Sequence, residues 1–432
     1  MTATVATAGP IQKGLGRDFN LLWAGQTVSN IGDRINLFVV PTVMILLLNA
    51  SAFQVGLVGM AQYLAIPLLS LVAGVLVDRW DLRRTLVWCD VIRFAVIAAI
   101  PLAYWLGVLS VPLLFVCVAV ANATAVFFNI GYTATISAIV PVEGRVRAYS
   151  RLETSRTSSE VVGPAIASGL YSLLGLAALL VDAASFLVSA ASIKAMRPYG
   201  ATLARKDPMW TRLMAGIRLN WQDRVLRGTL IGTLLLNCGG PIFVTVLPIL
   251  AYRGLGLSVV AFGTAMSVAA AAAVVGALLA QRANELIGPA RMMPWAVFLH
   301  CFVGLGVLLA PALPPVIVLG LTLSFYGVFM VWYNVSTAAV RQARVPSSDQ
   351  AVSHAAFRTV TWGVIPFAAL AGGVLVDALT GQFGTLNAAK ITMVAGTMIG
   401  VLFAWIPLAP SQRRLDREAA QRRAEMPAEV AA

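Results

Sequence analysis

The residues most able to do chemistry in this 432-residue sequence are ionisable and amide side chains set inside long apolar stretches. Asp33 falls near the middle of the first such stretch, and Gln26, Asn30 and Asp33 share one helical face at spacings of four and three. A polar stripe ending in a carboxylate suits a water-filled path. Burial favours the neutral form of a carboxyl and a nearby cation the charged form, so a change of surroundings could load and release a proton there. A permanent ion pair with Arg34 or Arg93, holding helices together, fits the same residues. Glu153, Arg156 and Glu160 also share a face, and Arg156 to Glu160 is a favourable helical pair. That triplet reads first as a gating salt bridge near one mouth of the protein and second as proton carriage by Glu160. Asp182 and His354 are weaker candidates, and His300 on an apolar face reads as a buried imidazole.

Candidate ligand contacts are Gln26, Asn30 and Asn237, then Asn122, Asn129 and Tyr132 in a fourth apolar stretch, then Tyr326 and Tyr333 in an aromatic stripe with Phe329. A mostly apolar pocket with a few polar groups suits amphiphilic small molecules. No Walker motif, zinc spacing or nucleophile elbow is present, so neither catalysis, a cofactor nor a metal is expected. Cys89, Cys117, Cys238 and Cys301 sit in apolar runs without CxxC spacing and read as small buried hydrophobes.

The elements that must position these groups are membrane helices. With 59% hydrophobic and 11% charged residues, the chain carries less than half the charge of soluble domains, which hold about 25%. Its apolar runs approach the roughly 20 residues that one crossing needs. Twelve spans are expected, at about 18–48, 52–77, 84–106, 110–140, 150–174, 176–196, 225–252, 256–281, 289–311, 314–341, 349–377 and 383–408. They divide the chain into a tail (1–17), a six-helix bundle (18–196), a linker (197–224), a second bundle (225–408) and a second tail (409–432). In the linker, Trp210, Leu213, Met214, Ile217 and Trp221 repeat at helical spacing, as in an amphipathic helix lying in the membrane interface. The net charge of +13 would suggest nucleic acid in a soluble protein. Here its Arg and Lys cluster in alternate loops, which places both termini in the cytoplasm, with lipid headgroups rather than nucleic acid as partner.

The two bundles read as copies. Asn30 and Gly32 are followed by Pro41, and Asn237 and Gly239 by Pro248 at the same distance. Arg156-Thr157 precedes Pro164 as Arg358-Thr359 precedes Pro366. The pairs lie 207 and 202 residues apart (30 to 237, 156 to 358). Parallel six-helix halves around a central pathway are one transporter architecture.

The run Gly74, Asp78, Arg79, Arg83 and Arg84, closing span two and opening span three, resembles the loop signature of the major facilitator superfamily. The segment from Phe19 to Asp33, and Asp90 with Arg93 in span three, resemble that superfamily's efflux branch containing macrolide and enterobactin exporters. The stretch from Ser159 to Gly169, with Gly163-Pro164 at its centre, resembles the family's antiporter motif but departs from it at Ser159, Ala167 and Ser168. The resemblance implies an all-α fold of twelve helices in two bundles. It also implies a conformational latch at Gly74, Asp78, Arg79, Arg83 and Arg84, with Asp90 and Arg93, and a gate or antiporter element at Glu153, Arg156, Gly163, Pro164 and Arg358. The second-half counterpart of the latch, from Gly276 to Arg282, lacks the acid. The implied activity is proton-coupled export of drug-like or siderophore-like molecules by a monomer in the bacterial inner membrane, by alternating access. An importer or lipid-handling transporter of the same fold is the alternative, and a non-transporting scaffold or sensor a more distant one.

Overall fold

The computed structural model describes residues 15–77, 79–197, 209–309, 313–346 and 349–425. Among these residues there is no β-strand. The first half holds α1 (Arg17–Leu46), α2 (Ala52–Val77), α3 (Leu82–Trp105), α4 (Val111–Ile139), α5 (Val142–Leu174) and α6 (Ala178–Lys194). A linker helix, α7 (Met209–Gln222), leads to α8 (Arg224–Ile249), α9 (Val259–Ile287), α10 (Pro289–Gly306), α11 (Pro315–Arg344), α12 (Gln350–Trp362) and α13 (Ile365–Glu425).

Nine helical stretches among the described residues are long and apolar enough to cross a membrane. Two of them, Val142–Lys194 with 53 residues and Val352–Leu408 with 57, are each more than twice the roughly 20 residues one crossing needs. Each is divided by a glycine with positive φ, Gly175 (58°) and Gly384 (74°), a conformation that a Cβ would disfavour. α1, whose start and middle carry Arg17, Asp18, Asp33 and Arg34, is too polar to join the nine but has the length of a span. Nine stretches, two of them double, plus α1 give the twelve crossings. Large apolar side chains face outward along the bundle, among them Leu68, Leu102, Leu278, Phe325 and Leu402. Such an apolar exterior around an apolar interior is what lipid requires.

The halves pack alike. α1 and α3 lie on α6 in the first half, and α8 lies on α13 in the second. A Cβ on Gly25 would stand 3.0 Å from the Ser192 Cβ, and one on Gly32 would strike Asp182 and Ser185, all on α6. The residues 207 positions later do the same against α13. A Cβ on Gly232 would meet Leu408 at 2.7 Å, and one on Gly239 would strike the Gly396 carbonyl. Small residues at these crossings let membrane helices approach closely, where no hydrophobic force drives them together.

One expectation needs correction. Span eleven is not one helix, because α12 stops at Trp362 and α13 begins at Ile365. Pro366 has no N–H to give to the preceding turn and disfavours the α conformation of the residue before it. Beyond the last span, α13 continues as helix through Glu425. In the linker, α7 docks on α12: a Cβ on its Gly216 would meet the Val352 carbonyl at 2.5 Å, and Asn220 donates to the Ser353 carbonyl at 3.0 Å. Trp210, Met214 and Trp221 remain exposed on it.

Candidate functional site

A polar cluster sits where α1, α3 and α6 meet. The Arg93 guanidinium, on α3, donates to Asp33 Oδ1 on α1 and lies 3.9 Å from the centre of the Phe186 ring on α6. Its side chain is 11% exposed, that of Asp33 44%. Asp90, one turn before Arg93, and Asp182, on α6, are both fully buried. Asn36 Nδ2 donates to Asp182 Oδ2 at 3.0 Å, while Asp182 Oδ1, both Asp90 oxygens and Arg93 Nε have no partner among the described residues. The sequence brings the residues together by ordinary helical spacing: Asp33 and Asn36 share a face of α1, and Asp90 and Arg93 share a face of α3.

A second network joins α1 to α5 toward the end that carries the chain termini. Arg34 donates to Glu160 at 2.7 Å, and Arg156 donates to Glu160 and Glu153, both at 2.5 Å. The Arg34 stem covers Gly163, where a Cβ would meet it at 2.5 Å. Arg358, the second-half counterpart of Arg156, lies 3.9 Å over the Trp362 ring and within electrostatic range of Arg156. The two repeat-related cations therefore approach one another across the halves at this end, and among the described residues the acids stand beside Arg156.

At the opposite end the halves are fastened. Thr42 and Tyr252 share a hydrogen bond of 2.9 Å, Arg253 donates to the Ile45 carbonyl at 3.3 Å, and Phe38 stacks on Phe262 at 5.7 Å. Asp377 accepts from the backbone of Ala52 and Phe53. Ser168 of α5 fills the space beside Gly263 of α9, next to the Pro164 carbonyl.

Other sequence candidates are engaged in packing. Gln26 donates to Ser189 on α6 at 3.3 Å, Asn237 to the Thr361 carbonyl at 2.8 Å, and Asn122 to the Val118 carbonyl of its own helix at 2.9 Å. Tyr333 is buried against Thr233 with a 2.6 Å hydrogen bond. Tyr326 lies between Phe243 (5.4 Å) and His300 (5.0 Å), and Tyr132 stacks on Phe128. Asn30 is half-buried on the Asp33 face and Asn129 is exposed. Of the latch residues, Asp78 lies outside the described residues, Gly74 is buried, and Arg79 and Arg84 are exposed. Arg83 donates to the Ile193 and Lys194 carbonyls, tying its loop to the end of α6 within the same half. Asp182 was a minor candidate by sequence. Its depth between helices follows from Gly32, whose missing side chain makes room for it.

The sequence model of the Major Facilitator Superfamily matches residues 22–363. The chain is 29% identical over 207 residues to the multidrug efflux pump Tap of Mycobacterium tuberculosis, covering 45% of this chain and 49% of that protein. It is 25% identical over 232 residues to macrolide efflux protein A of Streptococcus pyogenes, covering 52% and 56%. The chain thus spans about half the length of the curated relatives it matches. Its fold is shared with the nucleoside transporter NupG, at TM-score 0.75 and 14% identity over 91% of this chain and 98% of that one. A bacterial homologue of the human lysosomal transporter Spinster matches at TM-score 0.69 and 15% identity over 92% and 96%. With the family's sequence pattern running through most of the chain and its helices paired in two matching sixes, this multi-pass membrane protein belongs to the Major Facilitator Superfamily.

Proposed function

We propose that the protein is a secondary active exporter that exchanges amphiphilic small molecules for protons by alternating access. The observation that carries this reading is the asymmetry between the two ends. Hydrogen bonds and stacked rings fasten the halves at one end, while at the other Arg358 only comes within electrostatic range of the acid-paired Arg156. Two bundles fastened at one end are arranged to rock about a path between them. The Arg-rich loops support a cytoplasmic position for the unfastened end in a bacterial inner membrane, where an exporter loads. The half-exposed Asp33, held by Arg93, supplies a carboxylate that a cationic ligand or a proton could reach. The matched stretches of a multidrug pump and a macrolide efflux protein support drug-like cargo. In the reverse state Asp78 would fasten the cytoplasmic end, so Asp78→Asn should lower turnover more than it changes substrate affinity.

The test is transport by purified protein in everted-type liposomes with an acidic lumen. Uptake of a cationic dye or macrolide that collapses with a protonophore is the expected result. No gradient-driven flux of any macrolide, cationic dye or siderophore would overturn the reading.

A further inference from the structure

Asp90 and Asp182 are a pair of carboxylates that the fold buries completely and leaves short of partners. Asp90 has no hydrogen bond to either oxygen, and Asp182 has one, from Asn36, to Oδ2 alone. The Ser189 hydroxyl stands beside Asp90 but outside hydrogen-bond geometry. Native structures rarely leave buried polar atoms unsatisfied without a functional reason. Uncompensated charge at such depth in a membrane protein is costly.

The charge around them can be enumerated. α1 contributes Asp33, and α3 contributes Arg93 and, beside Asp90, the Cys89 thiol. α4, packed on α3, carries no charged residue. On α5, Glu160 and Arg156 are taken up with Arg34 and Glu153. Three carboxylates therefore share one guanidinium. That guanidinium is already given to Asp33 through one amino group, while its Nε–H is buried and unused.

We propose that Asp90 and Asp182, behind α1 and away from the path between the halves, are the proton-binding site of the transport cycle, with Arg93 as the switch that sets their charge. The inference rests on the proton-exchange reading above. While Arg93 holds Asp33, Asp90 and Asp182 are neutral carboxyls. When a cationic substrate takes Asp33, Arg93 turns its free Nε–H and its released amino group toward Asp90 and Asp182. A carboxyl facing a guanidinium favours the ionised form. The O–H proton passes to water on the open side, and the cluster's net charge is conserved as the substrate's charge arrives. Substrate and proton thus exclude one another without sharing a residue, which is the coupling antiport requires.

Two measurements test this on the intact protein. Infrared difference spectroscopy of purified wild type in detergent, stepped from mildly alkaline to mildly acidic pH, should show a protonated-carboxyl band. Asp90→Asn and Asp182→Asn should each diminish that band and the double variant should abolish it. A wild type without the band, or a double variant that keeps it unchanged, overturns the proposal whether or not any cargo is known. In liposomes, both single variants should lose dye accumulation against a proton gradient and keep dye-for-dye exchange. Undiminished gradient-driven accumulation in both, or wild-type accumulation driven by a sodium gradient at uniform pH, would also overturn it. Asp90→Glu and Asp182→Glu keep the test open if the amides fail to fold, because each should retain the band. If wild type carries no dye under any gradient, export fails as a reading while the infrared result still decides the proton site.

Discussion

The carboxylate of Asp377, on α13, accepts hydrogen bonds from the backbone amides of Ala52 (3.0 Å) and Phe53 (2.8 Å), which begin α2 in the other half. A helix start has four N–H groups without an internal partner, and its dipole attracts negative charge. The second half therefore caps a helix of the first, at a crossing where a Cβ on Gly56 would already stand 2.9 Å from the Ala369 carbonyl. Removing a cap costs about 0.5–2 kcal/mol. Asp377→Ala should shift the resting distribution toward separation at this end by roughly two- to thirty-fold. Spin labels in the 106–110 loop and beside the Gly384 kink, read by pulsed dipolar spectroscopy, should report a new long-distance population. An unchanged distribution would mean that the cap does not hold this end shut.

The repeated glycines give a second, independent expectation. An alanine at Gly239 would strike backbone that cannot swing aside, the Gly396 carbonyl. Overpacking of this kind costs about 1–3 kcal/mol. Gly169, near the end of α5, has nothing within 4 Å of the position a Cβ would take, and alanine is the better helix former by about 0.5–1 kcal/mol. Thermal unfolding in detergent should rank Gly169→Ala at or above wild type and Gly239→Ala clearly below it. If both fall equally, close approach is not what Gly239 supplies.

The contrast between those glycines also marks what the sequence could convey. Matching Asn30-Gly32-Pro41 with Asn237-Gly239-Pro248 was legible as a pattern, and the two halves do use Gly32 and Gly239 alike against α6 and α13. The Gly25 and Gly232 pair carries the same offset, but glycine alone is too common to stand out. Asp33 drew attention because it ends a polar stripe with Gln26 and Asn30, whereas Asp182 stands alone in an apolar run and became notable only when α6 was laid against Gly32. Periodicity places Gln26, Asn30 and Asp33 on one face. It cannot tell whether that face meets another helix, as Gln26 does at Ser189, or open space. The break before Pro366 was hidden because its counterpart Pro164 sits inside an unbroken α5. A proline permits either outcome, and neighbouring packing decides.

Asp33 is the carboxylate that exchanges partners in the proposed cycle, so its amide isostere separates coupling from packing. Asp33→Asn keeps an acceptor for Arg93 and removes the charge. Proton-driven dye accumulation should be lost in liposomes, while circular dichroism and the thermal midpoint stay near wild type, because the side chain is nearly half exposed. Retained gradient-driven accumulation would remove Asp33 from the coupling route. A companion variant, Glu160→Gln, leaves Arg34 and Arg156 without their shared acid. Partly exposed pairs of this kind are worth about 0–1 kcal/mol, so its effect should be small on stability. It should fall on cationic more than on neutral cargo, since the mouth near Arg358 becomes more positive. Equal effects on both kinds of cargo would count against that electrostatic role.

Asp223, just before α8 and outside the spans, offers a pH-dependent test of how the second half is held. Partial burial pushes its carboxyl upward, but this is outweighed by the amides of Leu226 and Val225 and by the Arg344 guanidinium, which donates at 2.6 Å. The net effect holds it below the usual carboxylate range. A folded-state value lower than the unfolded one, near 4, means that the ionised form stabilises the fold. That contribution is complete above the unfolded value and is lost as pH falls through the folded one. Asp223→Ala should lower the thermal midpoint at neutral pH, by the equivalent of about 1 kcal/mol for a lost helix cap. The gap to wild type should narrow as the medium is made acid below about pH 4. A gap that stays constant into acid would show that Asp223 acts through shape alone, and that its charge does not fasten α8 to α11.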